Sequence, residues 1–169
     1  MMPMADVFSA AVLLLLVIDP FGNVPLVVSA LANVAPARRT RVILRECIAA
    51  YVILLAFMFG GQTFLRWLQL SEVSLAIAGG IILFLIALRM VFRHPEGLFG
   101  DPPGAEPFLV PLAIPSIAGP SALATVMLMV SRNPSQQLAW AVALTAAMVV
   151  ATIVLLASLY LIVPRWFAP

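Results

Sequence analysis

Apolar positions gather into five runs, Val7 to Val34, Val42 to Gly61, Val73 to Phe92, Phe108 to Val130 and Leu138 to Val163, with most charged residues between them or near their ends. Crossing an apolar layer of roughly 30 Å takes about 20 residues of helix. Each run therefore predicts one membrane-crossing helix. The connections are short and rich in Arg, Pro and Gly. The longest, RHPEGLFGDPPGAEP from Arg93 to Pro107, holds Pro95, Pro102, Pro103 and Pro107, which rule out regular helix. The first run follows Asp6 with no Arg or Lys ahead of it, whereas a signal peptide starts positively charged. It reads as the first half of a span.

Two of the runs are interrupted. The first contains Asp19-Pro-Phe-Gly-Asn-Val-Pro25 and the fourth Ile114-Pro-Ser-Ile-Ala-Gly-Pro120, so Pro20 and Pro25 superimpose on Pro115 and Pro120 with an offset of 95 residues. This is the pattern of an internal repeat. Proline inside a helix removes a donor and clashes with the preceding turn, but it is tolerated at a helix start. Pro20 and Pro115 are thus expected to stop one half-helix, and Pro25 and Pro120 to begin another, with Gly22 and Gly119 letting the backbone turn between. Freed backbone groups in hydrocarbon cost several kcal/mol each unless protein, water or a ligand satisfies them. The breaks should face the protein interior or a wet cavity.

Composition then fixes the setting. Of the 169 residues 64% are hydrophobic and 9% charged, against about 45 to 50% and 25% in soluble domains; mean hydropathy is +1.15. The expected partner is the lipid bilayer. The net charge of +2 comes from nine Arg and no Lys spread over several loops, which argues against nucleic acid as a partner. A single Cys47 and a single His94 exclude an internal disulfide and Cys- or His-based metal clusters. No cofactor is indicated. Asp19 lacks a second intramembrane Asp, and no intramembrane Ser has a His partner, so the chain reads as non-enzymatic.

Arg counting gives the orientation. With the N-terminus outside, Arg38, Arg39, Arg41, Arg45, Arg89, Arg93 and Arg165 lie inside and only Arg66 and Arg132 outside. The first broken helix then runs inward and the fourth outward, which makes the repeat inverted. Paired broken helices in inverted repeats are used by many secondary transporters, with the site at midplane and half-helix N-termini aimed at anionic groups. The competing reading is a pair of structural kinks. Candidate substrate-binding residues are Asp19, Gly22, Asn23, Ser116, Gly119 and Ser121, with Thr125 one turn further. Asp19, an acid deep in an apolar run, either couples transport to protons or cations or caps the free amides of its break. Asn23 either holds substrate or satisfies the backbone near Gly22. The serines either join the site or bond their own helix backbone. Glu46 is expected to pair with a neighbouring Arg at the inner interface, with a gating role as the alternative, Gly79 and Gly80 to let another backbone approach closely, and Trp67, Trp140 and Trp166 to act as interfacial anchors.

DPFGNVP, IAGGIILFLIALRMVF (Ile77 to Phe92) and VPLAIPSIAGPSALAT (Val110 to Thr125) resemble signature segments of the MarC family of bacterial inner-membrane proteins, close to its YhgN-like branch. The resemblance covers nearly the whole chain in order. It implies six spans and a transporter grouped with the LysE-type exporters, in the bacterial inner membrane, with no agreed substrate. The expected fold is an all-α polytopic membrane helix bundle of two inverted repeats, residues 1–92 and 108–169, joined by a cytoplasmic linker, 93–107. Adding 95 to Ala76 through Leu88 places a partner for the third segment at about 171 to 183, so a sixth span is expected to be missing, by truncation or because a neighbouring subunit of a homo-oligomer fills the gap. The functional expectation is export or secondary transport of a small polar, anionic or amino-acid-like solute; the rival is a non-transporting structural or assembly subunit.

Overall fold

The computed structural model describes residues 4–31, 34–71 and 116–161, together with nine positions between 73 and 88. All regular structure among them is helical. The first run folds as α1 (Met4–Ile18) and α2 (Val24–Ala30), parted by the break at Asp19 to Asn23. The second becomes α3 (Pro36–Trp67), the fourth contributes α4 (Pro120–Arg132), and after a short 3-10 turn over Pro134–Gln136 the fifth becomes α5 (Gln137–Leu161). The described positions of the third run are helical and exposed. The linker 93–107, Pro115, Gly79 and Trp166 lie outside the described residues.

At 1.5 Å per residue, the 32 residues of α3 reach about 48 Å and the 25 of α5 about 38 Å. These two helices are long and apolar enough to cross a bilayer. The 15 residues of α1 span only about 22 Å, so a crossing there needs α2 as well.

α3 outruns its predicted bounds at both ends. Pro36 stands in its first turn, where a missing N–H costs nothing, and Arg is a good helix former, so the Arg38 to Arg45 stretch is helix rather than loop. At the other end Gly61 does not stop the helix; it faces the core, and a Cβ there would lie 2.8 Å from Met127 Cγ of α4. α3 stops past Trp67, where Gln69 takes a left-handed φ of 55°. The amide of Leu70 then donates to Leu65 O and that of Gln69 to Arg66 O, closing the last carbonyls.

α1 packs along α5, while α3 packs against both α4 and α5. The core joins Leu14 and Ile18 of α1, Ala50 and Leu54 of α3, Val126 of α4, and Ala143, Leu144 and Leu155 of α5. Small residues on the buried faces, Ala50, Gly61, Ala122, Ala143, Ala147 and Ala151, allow close helix approach. Two hydroxyl bridges tie α3 to α5: Tyr51 to Thr145 at 2.8 Å and Thr40 to Tyr160 at 3.2 Å. The start of α3 and the end of α5 therefore share one end of the bundle. At the other end the start of α1, the end of α4 and the start of α5 meet around one cup.

Trp140 does not stand at an outer surface. It is buried, with Nε1 donating to Asn133 O at 3.4 Å, because the 3-10 turn folds back over the first turn of α5. Trp67 is fully at the surface. Among the described residues, a Cβ on Gly80 would meet nothing within 4 Å.

Candidate functional site

The first break is organised by Asp19 and Asn23. Helical bonding continues to the Asp19 amide, which donates to Leu15 O at 3.0 Å, and then Pro20 supplies no donor. Asp19 takes a positive φ of 45°, an infrequent backbone conformation for a residue with a side chain that Asp tolerates better than most. Its Oδ1 accepts the Gly22 amide at 3.0 Å, and its carbonyl accepts the Asn23 amide at 3.1 Å. Asp19 thus caps the break, and its side chain is exposed.

The turning role expected of the glycines falls elsewhere. Gly119 has an ordinary extended backbone at φ −74° and ψ 167°, and the left-handed residue of the first break is Asp19. What Gly22 contributes is space. A Cβ there would overlap Asp19 Oδ2 and lie 2.8 Å from its Cγ, so the carboxylate can cap the break only over a glycine.

Asn23 bridges the first break and the stretch ahead of α4. Its Nδ2 donates to Ile18 O at 2.9 Å, at the end of α1, and to Ser116 O at 3.4 Å; its Oδ1 accepts the Ser116 hydroxyl at 2.5 Å. Residues 93 apart in sequence are joined through both ends of one amide. Beside them Ile117, Ala118 and Gly119 are buried, and Gly119 O accepts the Leu123 amide that begins α4. Of the six candidates, Asp19, Gly22, Asn23 and Ser116 form one chain of hydrogen bonds. Gly119 lies in the same stretch as Ser116, buried. Ser121 is exposed in the first turn of α4, and Thr125 Oγ1 donates back to its carbonyl.

α2 offers less positive bias than its prolines suggest. The Val24 amide is committed to Phe21 O and Pro25 has none.

One buried acid was not singled out as deep by the residue pattern. Glu46 is 1% exposed on the core face of α3, and its Oε1 lies 2.9 Å from both Nε and Nη2 of Arg45. The partner is the expected neighbouring Arg. The depth follows from helical spacing, since Glu46 falls on the stripe Ile43, Cys47, Ala50, Leu54, Met58, Gly61 and Leu65.

These features belong to an integral membrane protein family. The chain matches the family described as "MarC family integral membrane protein" over residues 4–164, and it is a member of that family. It is 47% identical over 134 residues to the "UPF0056 inner membrane protein YhgN" of Escherichia coli (strain K12), covering 79% of this chain and 68% of that relative. A "UPF0056 membrane protein" of Buchnera aphidicola subsp. Baizongia pistaciae is 40% identical over 158 residues, covering 92% of this chain and 79% of its own length. No solved structure matches the chain.

Proposed function

We propose that this chain moves a small polar solute across the bacterial inner membrane, with the Asn23–Ser116 junction as the place where the solute meets the protein. The single observation behind the reading is that junction: Asn23 in the break of the first run and Ser116 ahead of α4, far apart in sequence, turn their polar groups toward each other within the bundle. A shared locus lets one polar pocket satisfy both breaks instead of exposing either to lipid. The inverted arrangement has support in the helix directions. α2 leads from its break toward the α3 start, whereas α4 leads from its break toward the opposite end, beside the start of α1. Asp19, already engaged with Gly22, acts in this reading as a cap at the edge of the site.

A second reading has a specific observation in its favour. Asn23 and Ser116 satisfy each other, as they would in a subunit whose breaks only pack. Metabolite profiles of cells lacking the protein and cells overproducing it separate the two. Transport predicts a small polar solute whose level follows the protein, and predicts that Asn23→Ala and Ser116→Ala overproducers, with membrane insertion intact, resemble the cells lacking it. Identical profiles across all strains would leave the packing reading.

A further inference from the structure

Between α3 and α5 the bundle carries a groove of about 250 Å³. Its floor is Cys47 and Met148, both buried, and its walls are Leu44 and Ile48 of α3 and Val149 and Ile153 of α5, all exposed. The hydroxyls of Tyr51 and Thr145, 2.8 Å apart, close it at the end nearer the middle of the two helices. Its polar atoms are spent on the protein itself, since Thr145 donates to Ala141 O and Thr152 to Met148 O, both at 2.7 Å. What the groove offers a neighbour is hydrocarbon.

Its depth follows from the sequence. The apolar run Val42 to Gly61 is 20 residues long, about 30 Å of helix and the thickness of the hydrocarbon layer. Matching that run to the layer sets Leu44 to Tyr51 among acyl chains and Arg41 at the level of the headgroups. Arg41 precedes Ile48 by seven residues, two helical turns, and so stands above it on one face of α3; Tyr160 follows Ile153 by the same interval on α5. The two helices converge there, with Thr40 Oγ1 and Tyr160 Oη 3.2 Å apart, and whichever hydroxyl donates, the other keeps a proton to offer. The charge at this mouth is one-sided. Residues 34–51 hold four Arg and a single acid, Glu46, which is in the core beside Arg45, and residues 145–161 hold no charge at all.

We propose that this groove binds an anionic phospholipid of the surrounding bilayer, with one acyl chain laid between Leu44 and Ile153 as far as the Tyr51–Thr145 bond, and the phosphate group at Arg41 and the Thr40–Tyr160 hydroxyls. Charge complementarity selects this occupant. A zwitterionic lipid fills the groove equally but gains nothing from the surplus of Arg, and basic sites between spans at the inner face suit anionic headgroups. A second copy inserted in the same orientation would bring its own Arg-rich end against this one, a like-charge approach that disfavours the pairing. The assignment stands whether or not the chain transports a solute.

The test is made on the full chain, purified in mild detergent and titrated with phosphatidylglycerol or with phosphatidylcholine of the same acyl chains, with bound lipid counted by native mass spectrometry. One phosphatidylglycerol should be retained at concentrations where phosphatidylcholine is not. Arg41→Gln should weaken it about fivefold, the attraction of one basic residue near the membrane surface, whereas Arg132→Gln, at the other end of the bundle, should leave it unchanged. Ile48→Trp fills the groove without altering charge and should remove the bound lipid; Val149→Phe, on the opposite wall, carries the same test if Ile48→Trp does not insert. Equal retention of the two lipids, equal losses in Arg41→Gln and Arg132→Gln, or a bound lipid that both groove-filling variants leave in place would overturn the assignment. A dimer that those variants break would overturn it too, by making the groove an interface between copies.

Discussion

Asp19 and Gly22 act as one unit, and that makes their roles separable by experiment. The carboxylate occupies the space that a side chain at position 22 would need, while taking the Gly22 amide as its donor. Gly22→Ala should expel the carboxylate and cost about 1 kcal/mol, the typical net worth of the hydrogen bond that is lost. In an Asp19→Ala background the overlap is gone, so the same substitution should cost much less. A double-mutant cycle on purified protein, read from unfolding followed by circular dichroism, should therefore show a coupling of about 1 kcal/mol. Additive costs would mean that Gly22 serves something other than the cap. The residue pattern located this break through Pro20 and Pro25 but left Asp19 between coupling and capping. That choice depends on a backbone angle and a three-residue hydrogen bond, which apolar periodicity does not encode.

Among the elements, α3 offers the sharpest contrast because two adjacent glycines face different surroundings. A Cβ on Gly60 would meet nothing within 4 Å, whereas one on Gly61 would press on the Met127 sulfur and Cγ. Gly60→Ala should stabilise the helix by up to about 1 kcal/mol, from backbone propensity alone. Gly61→Ala should instead destabilise by about 1–3 kcal/mol, since Cγ of Met127 lies close to its own backbone and cannot swing away as a chain end could. Thermal unfolding in detergent should move in opposite directions for the two. The end of the same helix gives another test. Gln69 holds the left-handed position that closes the last turn, where glycine has no steric cost, so Gln69→Gly should raise the unfolding temperature by the equivalent of about 1 kcal/mol. These glycines also show why segment bounds were only partly legible. Pro20 and Pro120 mark the breaks because proline chemistry is local. The Gly60–Gly61 pair resembled a helix end, and the Arg38 to Arg45 stretch resembled a loop, because what keeps both helical is packing and propensity rather than apolar content. That the two stretches meet could be expected because lipid cannot satisfy the backbone groups a break sets free; the bond of Asn23 to Ser116 could be expected in kind but not in detail.

At the scale of the whole molecule, the structure sorts the charges by end in a way that sequence spacing could only assume. The bond between Thr40 and Tyr160 puts the start of α3 beside the end of α5, so Arg38, Arg39, Arg41 and Arg45 gather near one end of the bundle. The start of α1 lies at the opposite end with the end of α4, where Arg132 stands, and Arg66 is in the last turn of α3. Four Arg against two among the described residues keeps the bias found for the full sequence. Inner loops of bacterial membrane proteins carry the excess of positive charge, so the Arg-rich end should be cytoplasmic and the start of α1 periplasmic. Replacing Cys47 by Ala removes the one native thiol, and single cysteines can then be placed at half-buried Arg39 and exposed Ser135, at opposite ends. With a membrane-impermeant maleimide on spheroplasts, Ser135→Cys should label at once and Arg39→Cys only after the membrane is opened. The reverse order would invert the bundle, placing the start of α1 in the cytoplasm and reversing the direction in which the two broken helices run. Labelling of both positions in closed spheroplasts would mean two orientations coexist, which a four-to-two charge bias is expected to prevent.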